Sequence, residues 1–316
     1  TSQLEGRLVT RAATVTLAVQ APGQIVFAGH VRDENDRPLS GVSIKQGGST
    51  ITGLGTTDAG GNFFIPLSVA GPQIFLIDGS TANTPTVTYS TVPVTVDIQP
   101  GGVNTLGFIP RLPSQPVAKL APITPDQATV LTHPDVPGFT MTIPSGVRII
   151  GWDGKPNTQF SVTAVPADRS PLPPFPSSQA SSQIYLFSFG KMGGGTPTGN
   201  IPIDTPNDVR GLPGEKVDLY YFNEAPDGTA PNQWEKYGTG TISSDGTRIV
   251  TDINPANGLP YGIPRFCCGA RRNAPPPPPP RPGGGASGGQ SGSGKTDGEP
   301  VDTATGFFYL DKTELV

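Results

Sequence analysis

Nucleophiles, bases and metal ligands are scarce in this chain. Its 316 residues include two histidines, His30 and His133, and two cysteines, Cys267 and Cys268, which are adjacent. A Ser or Cys nucleophile needs a base held beside it. His30 falls inside a strand-like run and His133 stands beside Pro134 in a connector, neither in a recognisable catalytic setting. Zinc takes several ligands at workable spacing, and two neighbouring thiols with two distant imidazoles do not supply them. The turn Asp33-Glu34-Asn35-Asp36 gathers oxygen ligands of the kind calcium takes, with Asp33, Asn35 and Asp36 as the weak candidates. It lacks the glycine and closing glutamate of an EF-hand loop. Asp and Asn favour turns for local backbone reasons, so a solvated turn is the expectation.

Gly193-Gly194-Gly195 is followed by no Lys-Ser/Thr pair and opens no helix, so it is not a phosphate loop. Glycosidase-type carboxylate pairs would have to be drawn from acids that sit in Asp-Gly and Asp-Asn turns. Cys267 and Cys268 are open to three readings: an unremarkable thiol pair, a vicinal disulfide, or a bridge to another chain. Trp152, Tyr220, Tyr221 and Trp234 could stack on a sugar or a partner, although strand aromatics are mostly core. The expectation is a protein that is not an enzyme and holds no cofactor and no metal.

The elements that position these residues read as strands. There are 42 glycines and 38 prolines, and both residue types disfavour long helices. The net charge of −4, with 15% charged residues, offers no basic stripe for phosphates, so no nucleic-acid partner is expected. No apolar run approaches the ~18 residues that span a bilayer, so no membrane span is expected, and any secretion signal would be removed or lie outside this sequence.

Along the chain, Thr14 to Val19 put Val15, Leu17 and Val19 on one face and Thr14, Thr16 and Ala18 on the other, a strand period that sets residues 1–22 apart as an arm. Residues 23–110 carry strand-length runs at 25–31, 41–44, 62–67, 73–78 and 91–98 divided by Asp/Gly/Pro turns, which predicts a β-sandwich. Prolines punctuate 111–122, a connector. A second β-rich module follows over 123–269, with runs at 139–144, 147–150, 160–166, 184–189, 217–222 and 234–238. Its clearest element is a hairpin over 240–250 turning at Asp245-Gly246. Residues 270–296 form a linker in which the run Pro275 to Pro280 leads into a Gly/Ser tract. The fold class expected is all-β, as tandem sandwich modules.

Two stretches resemble known families. Gly29-His30-Val31, Asp33, Pro38-Leu39-Ser40-Gly41-Val42 and Thr57-Asp58-Ala59-Gly60-Gly61-Asn62-Phe63 resemble the carboxypeptidase regulatory-like, transthyretin-type domains of secreted bacterial proteins. That likeness implies a spacer or partner-binding scaffold with no catalytic residues to carry over. Residues 297–316 begin Asp297-Gly298-Glu299-Pro300-Val301-Asp302-Thr303-Ala304-Thr305-Gly306, which is similar to the segment preceding the repeats of rearrangement-hotspot (RHS, or YD-repeat) proteins. Thr163 to Arg169, Leu212 to Tyr220 and Gly238 to Gly246 are similar to regions upstream of such repeats. The resemblance implies a large secreted or surface-displayed protein with this chain as its flank, before any Tyr-Asp repeat.

The function expected is therefore structural or adhesive, outside the cell or on its surface. Partners would be other protein chains, copies of itself among them, with a glycan as a further candidate. A second reading is a filament subunit in which Thr14, Val15, Leu17 and Val19 add to a neighbour's open sheet edge while Pro275 to Pro280 lies along another subunit. A third is a carbohydrate-binding or hydrolytic module using exposed aromatics and acids.

Overall fold

The computed structural model describes residues 23–124, 126–175 and 183–273. The expected arm strand Thr14 to Val19, the proline run Pro275 to Pro280 and the RHS-like segment 297–316 lie outside those residues. The protein is all-β: among the described residues, helical structure is confined to short 3-10 turns at Gly79–Ala82, Val117–Lys119 and Ala167–Arg169.

Two sheets face each other in the first part of the chain. One has the order Asn62–Leu67, Ile25–His30, Gly102–Asn104; the other runs Thr52–Thr56, Ser43–Gln46, Gly71–Asp78, Thr91–Ile98. Alternation dictates the packing, because successive strand side chains point to opposite faces. Phe27, Phe63 and Ile65 meet Ile44, Phe75, Ile77, Val92 and Val94 between the sheets. The Phe27 ring stacks on Phe75 at 4.1 Å and tilts against Phe63 at 5.1 Å.

The motif residues at 57–63 are turn-formers here. Asp58 Oδ1 accepts from the backbone N–H of Gly60 and of Asn62 (both 2.8 Å). Gly61 turns the chain at φ +71°, where a Cβ would come within 2.4 Å of the Val31 carbonyl oxygen; only glycine fits. The Thr57 hydroxyl donates to Leu39 O and accepts from Val42 N–H.

The connector is bound to the sandwich. Arg111–Leu112 pairs in parallel with Arg32–Asp33, Gln115–Pro116 pairs with Val87–Thr88, and Leu112 is fully buried. Proline removes a donor and keeps its carbonyl, and Pro110 uses that carbonyl to accept from Arg32 N–H (3.0 Å).

A ten-stranded sheet follows, in the order Ala121–Pro122, Gln159–Pro166, Gln183–Ser188, Cys268–Asn273, Lys216–Asn223, Gln233–Ile242, Arg248–Thr251, Ile203–Pro206, Val136–Ile143, Thr129–His133. It curls until Val136–Ile143 touches Gln159–Pro166, close to a barrel. Its strand Gln183–Ser188 explains an unbroken apolar run: Tyr185 and Phe187 enter the curled interior with Phe139, Met141 and Phe160, while Ile184 and Leu186 face the sandwich core. Phe222, Cys268 and Ala270 join the same sandwich-side cluster. Residues from both sides of the connector thus share one core. The strand Cys268–Asn273 runs four residues past the expected module boundary at 269 and lies at the middle of the sheet.

Candidate functional site

Four places bring polar or reactive groups together, and the acidic turn is the simplest. Asp33 is 5% exposed. Its Oδ1 accepts from Asn35 and Arg37 N–H and its Oδ2 from Arg37 Nε at 2.6 Å. Asp36 Oδ1 accepts from Arg111 Nε at 2.6 Å, a bond that holds the Asp36 carboxyl below its usual range. Asn35 donates its side-chain amide to Glu34, and Glu34 accepts from both the N–H and the hydroxyl of Ser114. The expected calcium candidates therefore serve as a clasp: arginines and amides occupy the oxygens, and the turn ties the connector to the sandwich. Among the described residues no group of three His, Cys, Asp or Glu is placed to hold a metal ion.

The second place was not legible in the sequence. A small pocket of about 90 Å³ is lined by Gln115, Lys119, His133, Asp135, Ser161 and Thr163, among others. His133 and Ser161, separated by 28 positions, meet there at 3.1 Å between Nε2 and Oγ. Such a pair can make a nucleophile if the imidazole accepts the hydroxyl proton. Here the backbone N–H of Asp135 donates to His133 Nδ1 at 3.3 Å. In the neutral ring the proton is then on Nε2, which donates to Ser161 Oγ. The Asp135 carboxylate, which might have oriented the ring, is paired with Lys119. Burial pushes the His133 pKa down, with the Asp135 charge opposing. The arrangement suits a neutral structural imidazole. Gln115, 1% exposed, donates from Nε2 to Thr163 Oγ1 at 2.6 Å and leaves its Oε1 without a protein partner.

The third place is the cysteine pair. Cys267 and Cys268 are placed with their sulfurs bridged and buried in the cluster shared with the sandwich. The surrounding sheet also encloses charge. Asp218, 4% exposed at its side chain, is held by Lys236 (2.6 Å) and Arg272 (2.8 Å). Burial alone would raise its carboxyl; those two bonds outweigh it and hold the carboxyl low. Glu224 is 1% exposed, and neither carboxyl oxygen has a hydrogen-bond partner. Arg265 donates to the Glu224 backbone carbonyl at 2.9 Å. Burial raises the Glu224 carboxyl well above its ordinary value, against the pull of Arg265. Gly194 of the triple glycine packs on it: a Cβ there would lie 2.2 Å from Glu224 Oε1.

The aromatic residues considered for sugar stacking are mostly engaged. Trp234 lies against Phe175 and Phe222 and donates from Nε1 to Pro173 O at 3.2 Å. Tyr220 packs edge-on to Phe175 under the guanidinium of Arg272. The Tyr221 hydroxyl donates to Glu235, and burial together with that carboxylate pushes its pKa up to about 12. Trp152 lies over Gly193 and stays partly exposed.

The fourth place is a groove of about 920 Å³ at the edge of the sandwich, beside the strand Ile25–His30. It is lined by Ala28, Gly29, His30, Phe64, the acid Asp58 and the loop Thr105 to Ile109. His30 Nδ1 donates to Asn62 Oδ1 at 2.6 Å at its rim. Phe64 is 44% exposed and Val103, adjoining, 56%. No helix among the described residues is long and apolar enough to cross a membrane. Comparison of the chain with known protein families finds no matching family model, and comparison with curated proteins finds no match.

Proposed function

We propose that this chain is a non-catalytic structural and adhesive segment of an extracellular or cell-surface protein of the RHS type, acting by display and by contact with other protein chains. The observation that carries the reading is the core continuous from the sandwich through Phe222 and Leu186 to the Cys267–Cys268 bridge. Such a core makes the described residues one load-sharing body, because well-packed interiors transmit strain. The polar side chains support it: the clasp of Asp33, Glu34 and Asp36, and the donor tautomer of His133, are used to hold backbone and connector in place.

Single-molecule pulling between residues 23 and 273 tests the mechanical part: the expected trace has one rupture for sandwich and sheet together. Two separate low-force ruptures would sink it, as would a hydrolytic turnover that Ser161→Ala abolishes. Protease shaving of intact cells tests the location, with release of fragments of this chain as the expected result.

A second reading, a filament subunit joined by strand addition, is favoured by the exposed groove beside Ile25–His30. Negative-stain microscopy distinguishes them, since isolated particles at all concentrations would count against the filament.

A further inference from the structure

The groove has a specific origin in the strand pairing. Ile25–His30 is paired along its whole length with Asn62–Leu67, but on its other side Gly102–Asn104 reaches only Ile25, Val26 and Phe27. The two chains rejoin where Arg111–Leu112 pairs with Arg32–Asp33. Between these points one chain has the four residues 28–31 and the other the six residues 105–110, so the longer segment bows outward. On the gap side Leu106, Phe108 and Ile109 face Ala28, Gly29 and His30, and among the described residues no strand pairs with these last three there. Amide and carbonyl groups alternate in direction along a strand, so one or two of those three residues present both groups to the gap. The opening's size falls near the top of the ~300–1,000 Å³ typical of binding sites.

We infer that this gap is the acceptor of an added strand, and that the strand is residues 12–20 of a second copy of this chain. The inference rests on the strand-addition reading above and names its acceptor site. Val15, Leu17 and Val19 would lie on one face of such a strand, matching the apolar wall of Phe64, Leu106 and Phe108, and the strand's backbone would pair with the edge at Ala28 to His30.

The chain's own arm is poorly placed to do this. Folding back antiparallel from Gly23, it would meet Ile25 to Phe27 first, where both edges are already taken by hydrogen-bonded neighbours. Running parallel, it would need residues 20–24 to span the length of Ile25–His30, roughly 17 Å at ~3.3 Å per residue, with no residues left to turn. A second copy faces neither constraint.

The test uses the chain lacking residues 1–20 and a fluorescein-labelled peptide of residues 12–21. The expected result is saturable binding, read by anisotropy, that weakens at least tenfold for Phe64→Glu in the protein and for Leu17→Asp in the peptide. The full chain should associate as its concentration rises, and the truncated chain should stay monomeric. The peptide variant needs no refolding and so keeps the test decisive if Phe64→Glu fails to fold. Absent peptide binding, or binding indifferent to Leu17→Asp, overturns the inference. So does a full chain that stays monomeric and excludes the peptide, because its own arm would then fill the groove. Association that persists in the truncated chain without peptide binding would preserve self-assembly and overturn this acceptor.

Discussion

The sandwich of residues 23–116 and the ten-stranded sheet of residues 121–273 bury polar groups in contrasting ways. In the sandwich a buried carboxylate is fully partnered: Asp78, 1% exposed, caps the turn at Ser80, accepts from Thr91 and pairs with Lys45 at 2.6 Å. Asp58 and Asp33 serve backbone groups two to four residues away, and Thr57 joins the more distant Leu39 and Val42. In the sheet more groups lack partners: Asn157, Thr205, Glu224 and Tyr237 hold buried polar atoms without a hydrogen bond to protein, against Ser90 and Gln115 in the sandwich. Arg271, 1% exposed, lies over the Tyr185 ring at 5.6 Å. Unmade hydrogen bonds in an interior cost about 1–3 kcal/mol each. The sheet has an apolar interior of its own and shares a second core with the sandwich through Phe222, Leu186 and Ala270.

If that second core joins the two regions, a cut through it should damage both together. Phe222→Ala removes a fully buried ring where the sheet meets the sandwich cluster. A loss of about 3–5 kcal/mol is expected, with near- and far-ultraviolet signals melting in a single transition. Two resolved transitions, with the sandwich melting unchanged, would break the comparison by making the regions independent.

Charge deletion should show the next largest effect and sharpen the contrast. Asp78→Ala strands Lys45, whose side chain is 22% exposed, together with Ser80 and Thr91; about 3 kcal/mol is expected from an interior pair broken on one side. Asp218→Ala strands Lys236 and Arg272, but these are 47% and 28% exposed. Solvent takes up much of the released charge, so about 1–2 kcal/mol is expected. Denaturant midpoints at constant slope check both.

The legibility of the two regions follows the same divide. The sandwich strands over 62–67, 73–78 and 91–98 and the turn at Asp58 to Gly61 could be read from period-two alternation and local turn chemistry. The strand Cys268–Asn273 could not: Cys-Gly-Ala-Arg-Arg-Asn has neither alternation nor β-branched residues, and what pins it is pairing with Lys216–Asn223 and Gln183–Ser188. Ile203–Pro206 is hidden for a like reason, since its partners are the distant strands Val136–Ile143 and Arg248–Thr251, whereas Thr129–His133 pairs with its chain neighbour Val136–Ile143. The meeting of His133 with Ser161 is a product of that long-range pairing, and no spacing in the sequence marks it. The clasp residues Asp33 and Asp36 were found as a turn, but their arginine partner Arg111 is 75 positions away from Asp36.

Two buried groups of the sheet region titrate with opposite sign. Glu224 has a folded pKa above its unfolded one, so its contribution is complete below the unfolded value near pH 4.5 and is lost as the pH rises toward the folded value. His133 has a folded pKa below its unfolded value of 6.5, so its contribution is complete above that pH and is lost as the pH falls. Both lie in the sheet region. Glu224→Gln should flatten the decline on the alkaline side by about 1–2 kcal/mol, and His133→Asn should flatten the acid side below pH 6.5. Unchanged pH profiles of chemical denaturation would show that neither group is held as its surroundings imply.

The smallest expected effect lies on the sandwich's outer face. Phe63 and Phe64 are neighbours in one strand, yet Phe63 is 4% exposed against Phe27 and Phe64 is 44% exposed. Phe64→Ser removes no core contact, so stability should move by about 0.5 kcal/mol or less. A larger loss would mean that Phe64 belongs to the fold. A negligible one would leave an aromatic ring beside an unpaired strand edge with no role in stability, and exposed apolar surface at such an edge is what proteins otherwise remove to prevent unwanted pairing. Phe64 shares that exposure with Val69 and Val103 in the sandwich, and of the three it alone lines the groove beside the strand edge, where the proposed strand would cover it.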